Sequence, residues 1–262
     1  MTDLPPVVDP TWVAEHLGEA GLLLADVRGP NAHMRGHIPG SIPLVLGSPA
    51  PVTDREVLDE LAAEVGLRLR RHGVTGSERL VLYDRGDGIG AASSAQLAEL
   101  AGHPAVAVMA GGIAAWRGEL AKGVVELDKN RIELDPRLDA VPTLEELRGR
   151  LSDPELTILD VRRDDEFSGK GGYPCDPRQG HIPGARHLPV ERLFAGPGTP
   201  LPADEIRAIV GLPQGAEIVA YCHSGSRSAL ASMALRFAGY TARNYPGSWH
   251  EWSRHPDLPA ER

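Results

Sequence analysis

The chain has 262 residues, 42% of them hydrophobic and 24% charged, with a formal net charge of −9. That length can bury one large core or two domains of about 130 residues, and the composition excludes both a disordered polymer and a fibrous repeat. The arginines are scattered along an acidic chain, which excludes a broad basic face for a nucleic-acid backbone, so any bound anion should be small and locally held.

The opening stretch MTDLPPVVDP has no basic segment followed by an apolar core. No apolar run elsewhere nears the roughly 20 residues of a membrane span, and a cytoplasmic protein with no membrane partner is expected. From Leu22, LLLADVRGPNAHMRGHIPGSIPL carries an apolar run into Asp26-Val27-Arg28 and then G-H-I-P-G. RLVLYDRGDGIGAASSAQLAELAGHPAVAVMAGGIAAW follows and ends at Trp116. VELDKNRIELDPRLDAVP is charged, polar and closed by a proline, as a connection between domains would be.

The same order then recurs. TLEELRGRL has helical spacing, LTILDVRRDDEF from Leu156 repeats the strand and the D-V-R, and GHIPGARHLP repeats the turn. ADEIRAIVGL and SALASMALRFAG read as helices stopped by glycine, while EIVAYC reads as a buried strand. Asp26 matches Asp160, Gly36 matches Gly180, Tyr83-Asp84 match Tyr221-Cys222, and Gly111 matches Gly247. The second copy carries about ten extra residues, SGKGGYPCDPRQ and its neighbours, before its G-H-I-P-G. The expected fold class is α/β: two similar domains, each a mostly parallel sheet with helices on both faces. The domains are placed at 1–123 and 142–262, with 124–141 as linker.

The two cysteines sit in unlike surroundings, so a disulfide framework is not indicated. Cys175 lies in the Pro/Gly/Asp-rich insertion, and Cys222 stands at the C-terminal end of a strand, where such sheets place their chemistry. The stretch from Cys222 to Arg227 is expected to form the turn, with Ser228 opening the helix. Successive backbone N–H groups and the positive helix end there hold an anion and favour a thiolate, the nucleophilic form of cysteine. Gly225 frees the backbone, Ser224 and Ser226 keep the cradle open, and His223 and Arg227 add positive charge. Buried cysteines usually only pack, but a core strand would not continue into H-S-G-S-R-S.

The paired D-V-R, G-H-I-P-G and cysteine-loop blocks, with GGIAAW in one half and YPGSWHEW in the other, resemble the tandem rhodanese-domain sulfurtransferases across nearly the whole chain. The resemblance implies two rhodanese-like domains, the first catalytically silent. In the second, Cys222 takes the outer sulfur of thiosulfate or 3-mercaptopyruvate as a persulfide and passes it to cyanide, a thiol or a protein acceptor. It implies no cofactor or metal, and a monomer. Asp84 stands where the nucleophile would be, and a carboxylate in an N–H cradle takes up no sulfane sulfur and can fill the cradle with its own charge. His223, Ser224, Gly225, Ser226, Arg227 and Ser228 are the expected substrate-binding loop, joined by Arg178 from the insertion. Lys170 is a weaker candidate, and Cys175 is a candidate second sulfur acceptor, a partner for a regulatory disulfide with Cys222, or an inert loop thiol.

C-H-S-G-S-R matches neither the basic loop of thiosulfate enzymes nor the C-G-S-G-V-T of mercaptopyruvate enzymes, and its two cations favour the dianion thiosulfate. Two other classes stay open. A cysteine phosphatase or arsenate reductase uses a related loop, though its C-x5-R is one residue longer than the C-x4-R here, and a non-catalytic binding module would need no thiol. His37 and His181 have no ligand cluster in sequence and are expected to be structural turn residues. Asp26-Arg28 and Asp160-Arg162 are expected to tie strand ends to loops, and Trp249 to pack or to shade the site.

Overall fold

The computed structural model describes residues 4–47, 51–127 and 134–262. The expected linker 124–141 therefore lies partly outside the described residues. Among the described residues, no helix is long and apolar enough to cross a membrane.

The chain forms two compact units, and they are not contiguous in sequence. One comprises Met1–Ser48, Asp59–Leu138 and Gly196–Pro200, and the other Pro49–Leu58, Asp139–Ala195 and Leu201–Arg262. Two short segments are thus exchanged between the sequence halves, a feature no local pattern encodes.

The first unit contains β1 (Val7–Val8), α1 (Pro10–His16), β2 (Leu22–Asp26), α2 (Pro30–Arg35), β3 (Ile42–Pro43), most of α3 (Arg55–Arg71), β4 (Arg79–Tyr83), α4 (Ile89–Leu100), β5 (Val106–Met109) and α5 (Gly112–Ala115). Its sheet runs β1-β5-β4-β2-β3, all parallel. The near-continuous apolar strands are those of a sheet covered on both faces.

The second unit contains α6 (Leu144–Gly149), β6 (Leu156–Asp160), α7 (Asp164–Phe167), β7 (Arg186–His187), α8 (Ala203–Val210), β10 (Glu217–Tyr221), α9 (Ser226–Phe237), β11 (Thr241–Asn244) and α10 (Ser248–Trp252). Between β7 and α8 the chain forms the short strands β8 (Phe194–Gly196) and β9 (Thr199–Pro200), and Gly196–Pro200 belongs to the first unit. The main sheet runs β11-β10-β6-β7, again all parallel. Thr143 caps α6 by accepting the Glu146 N–H at 3.1 Å, and Gly211 at φ +64 ends α8.

The repeated motifs do the same work in both units. Asp26 lies opposite Tyr83 and Asp160 opposite Tyr221 in the parallel registers. Arg28 and Arg162 each hold the aspartate two residues earlier and reach the carbonyl of Gly36 or Gly180 at 2.6 Å. The hydroxyls of Tyr83 and Tyr221 accept the N–H of Ile38 and Ile182 at 3.1 and 3.0 Å. Burial pushes the Tyr83 phenol up to about 12, so it stays protonated. His37 and His181 each place Nδ1 on a backbone carbonyl, at 2.8 and 2.9 Å, in keeping with a turn role.

Candidate active site

Strand β10 delivers Cys222. Ile218, Ala220 and Cys222 pack into one apolar cluster and Val219 and Tyr221 into another, as alternate residues of a strand must. Cys222 is only 1% exposed, so the thiol lies beneath a polar loop rather than standing open within it; Ser224 is the exposed residue of that loop. Helix α9 begins at Ser226, two residues before the sequence expectation, because Gly225 at φ +87 turns the chain directly into it. A Cβ at Gly225 would lie 2.8 Å from Pro246 Cα, so glycine is required twice over, by conformation and by space.

The twin loop of the first unit shows what such a turn offers. Asp84 Oδ1 accepts the N–H groups of Gly86 and Gly88 at 2.9 and 3.2 Å, and Oδ2 accepts those of Gly90 and Ala91 at 3.1 and 3.2 Å. Burial raises the Asp84 pKa above the usual carboxylate value, against the pull of these N–H groups. The Asp84 side chain thus fills the cradle of the first unit. In the second unit, among the described residues, no protein group accepts from the backbone N–H of Ser224, Gly225, Ser226, Arg227 or Ser228.

Side chains converge on Cys222 from two further directions. Ser228 Oγ lies 3.3 Å from Sγ, and Ser248 Oγ accepts the Cys222 N–H at 3.1 Å while lying 4.0 Å from Sγ. Ser248 is the only described non-glycine residue at positive φ, +55, and donates to the Tyr245 carbonyl at 2.9 Å. Such strain persists only where surrounding bonds enforce it. Trp249, fully buried, donates its backbone N–H to the Cys222 carbonyl at 3.0 Å.

Arg227 and His223 of the loop each face a carboxylate. Arg227 makes a bidentate pair with Glu166, both bonds 2.8 Å, and Glu166 is 1% exposed. Burial opposes the Arg227 charge, yet Glu166 and then the charge of Cys222 hold its pKa above the ordinary arginine value. Burial likewise opposes the charge of Glu166, and Arg227 holds its pKa below the usual range. His223 Nε2 lies 3.2 Å from Asp176 Oδ2. With Arg227 paired to Glu166, the loop offers a dianionic donor less free positive charge than its composition suggests.

Arg178 does not join the loop. Its guanidinium donates to the carbonyls of Ser253, Leu258, Trp252 and His255 at 2.6–3.0 Å, so its donors are spent on the chain around α10. The insertion instead contributes Cys175 and Asp176 beside His223, with Tyr173 stacked on the His223 ring at 3.6 Å between centroids.

This geometry has known relatives. The description "Rhodanese-like domain" matches residues 9–119 and again 143–255. The chain belongs to the two-domain rhodanese-like sulfurtransferase family. A Pseudomonas aeruginosa protein named "Probable 3-mercaptopyruvate sulfurtransferase" is 32% identical over 94% of this chain and 94% of its own. A "Thiosulfate sulfurtransferase" of the same organism is 28% identical over 99% and 98%. A solved structure described as "Crystal Structure of Probable Thiosulfate Sulfurtransferase" superposes with a TM-score of 0.67 at 33% identity, covering 94% of this chain and 99% of that one.

Within this sulfurtransferase, Glu166, Asp176, Ser248 and His250 lie at or beside the cysteine loop, and none was among the site residues expected from the sequence. Ser248 had one available signal: it replaces Gly112 of the first copy, which has φ +49. A Cβ at Gly112 would sit 2.6 Å from the Asp84 carbonyl oxygen and 2.7 Å from the Gly86 nitrogen, so the backbone of the first loop leaves room only for glycine there.

Proposed function

We propose that the protein moves a sulfane sulfur from thiosulfate, or from 3-mercaptopyruvate, to a thiophilic acceptor through a persulfide on Cys222. The observation that carries this is the contrast between the loops. The Asp84 carboxylate takes four N–H groups of its own turn, whereas the Cys222 turn keeps such donors for an outside anion above a thiol.

In the first half-reaction the Cys222 thiolate attacks the outer sulfur of thiosulfate. A Cys–S bond to that sulfur forms, the S–S bond of thiosulfate breaks, and sulfite leaves with the electron pair. An acceptor nucleophile such as cyanide then attacks the terminal sulfur, giving thiocyanate and restoring the thiolate. The loop N–H groups carry the negative charge that moves onto the transferred sulfur, and Ser228 Oγ is within reach of Sγ. Arg227 is held toward the site by Glu166. Its role is to support the loop anion rather than to offer a bare cation.

The donor is the open choice between two chemistries. The backbone cradle suits thiosulfate, and pairing of Arg227 with Glu166 lowers the free positive charge of the loop, which suits the monoanion 3-mercaptopyruvate. Asp84 makes the first domain a silent partner. Both cysteines are free thiols, which suits a reducing cytoplasm.

Intact-protein mass after incubation with each donor tests the proposal. Wild type should gain about 32 Da, one sulfur, and Cys222→Ser should not. No gain with either donor would sink it and send attention to phosphoester and arsenate substrates.

A further inference from the structure

Beside the cysteine loop, three separated segments bring four metal-ligating side chains together. Cys175 and Asp176 come from the insertion, His223 from the turn after β10, and His250 from α10. One ligand atom from each lies within 4.8 Å of the other three. His223 Nε2 is 3.2 Å from Asp176 Oδ2 and 3.9 Å from Cys175 Sγ, and His250 Nδ1 is 3.0 Å from Asp176 Oδ1.

Asp176 supplies an independent observation. Its side chain is 1% exposed, and its Oδ2 is buried with no hydrogen-bond partner, the short approach of His223 lacking hydrogen-bond geometry. Oδ1 is occupied by His250 and by Arg254 Nη1 at 3.2 Å. A buried carboxylate oxygen that accepts no hydrogen bond, with an imidazole nitrogen 3.2 Å away, is the arrangement a shared cation would satisfy.

We propose that Cys175, Asp176, His223 and His250 form a binding site for a divalent cation of the zinc class. One thiolate, two imidazoles and one carboxylate are a borderline-soft set of four, suited to zinc or cobalt and not to calcium or magnesium, which take oxygen ligands. A tetrahedral set at zinc bond lengths has its ligand atoms about 3.4 Å apart. The cluster reaches that by contracting, chiefly at the exposed Cys175, whose Sγ lies 3.9 Å from both Asp176 Oδ1 and His223 Nε2. Charge agrees: a Cys175 thiolate and the Asp176 carboxylate together exceed the single positive charge of Arg254. The bound cation ties the insertion, found only in the second copy, to the loop that begins at Cys222. Cys222 itself is not a ligand, so the site stands apart from the sulfur-transfer proposal.

The test uses the full chain, stripped of metal by a chelator, kept reduced, and titrated with Co²⁺. Wild type should bind one equivalent with the intense visible bands of tetrahedral cobalt and a thiolate-to-cobalt charge-transfer band, and one equivalent of Zn²⁺ should abolish both signals. Cys175→Ser should lose the charge-transfer band, and His250→Gln should weaken binding by about tenfold or more. Cys222→Ser should keep the full spectrum. Thermal melting of the metal-free variants establishes that each is folded, and a fixed Zn²⁺ concentration should raise the melting temperature of wild type and Cys222→Ser by more than that of Cys175→Ser or His250→Gln. Absence of the tetrahedral spectrum in wild type, or a charge-transfer band that survives Cys175→Ser and vanishes in Cys222→Ser, would overturn the assignment. Because Cys222→Ser is inert in the persulfide assay by expectation yet metal-competent here, the two proposals fail separately.

Discussion

Ser248 Oγ accepts the backbone N–H of Cys222 at 3.1 Å from a residue held at φ +55. The strained residue fixes the base of the cysteine loop, and its counterpart in the first copy is a glycine with no such bond to give. Ser248→Gly should relieve the strain but leave the buried Cys222 N–H without a partner, a loss of about 1–3 kcal/mol. Sulfur-transfer kcat/KM should fall by about tenfold or more. Unchanged kinetics in a folded variant would separate Ser248 from the loop's function.

Glu166 and Arg227 form the other support. Glu166→Gln keeps the shape and removes the charge, so the half-buried guanidinium loses its ion pair; stability should drop by about 1–3 kcal/mol and activity with it. Equal melting temperatures and equal rates for the two proteins would refute this role.

The same pair sets an acid dependence. The folded Glu166 pKa lies below its ordinary value, so its contribution is fully present above the usual carboxylate pKa and is lost as pH falls through the folded one. Melting temperature against pH should therefore fall more steeply for wild type than for Glu166→Gln, and only on the acid side of the ordinary glutamate range. Parallel curves there would contradict the pairing.

Gly225→Ala should be poorly tolerated. The added methyl meets Pro246 at 2.8 Å in a backbone conformation, φ +87, that alanine resists. A cost of about 1–3 kcal/mol and a misplaced cradle are expected, read as a lower melting temperature and a lower rate of persulfide formation. A persulfide formed at the wild-type rate would show that the cradle tolerates the shift.

Asp84→Ala should behave in the opposite way. It leaves four N–H groups of the first unit without their carboxylate, so stability falls by about 1–3 kcal/mol while kcat/KM stays within about twofold, as a silent domain requires. A large loss of turnover at full folding would give the first domain a catalytic part.

The sequence by itself determined the repeat, the parallel α/β class and the place of Cys222, because these depend on local signals. Apolar runs set the strands, and D-V-R and G-H-I-P-G recur with the same bonds in both units. Gly225 set the turn, though its sharpness moved the helix start to Ser226. Tertiary structure alone decided what surrounds the thiol. Arg178 turned to four carbonyls near α10, Glu166 claimed Arg227, and Asp176 and His250 closed on His223 from segments about 30–50 residues away in the chain, a distance over which no periodicity or spacing rule reports contact. Side-chain charge is legible in a sequence, but its partner is not. Which charges remain available to a substrate is settled only when packing brings distant carboxylates within bonding range.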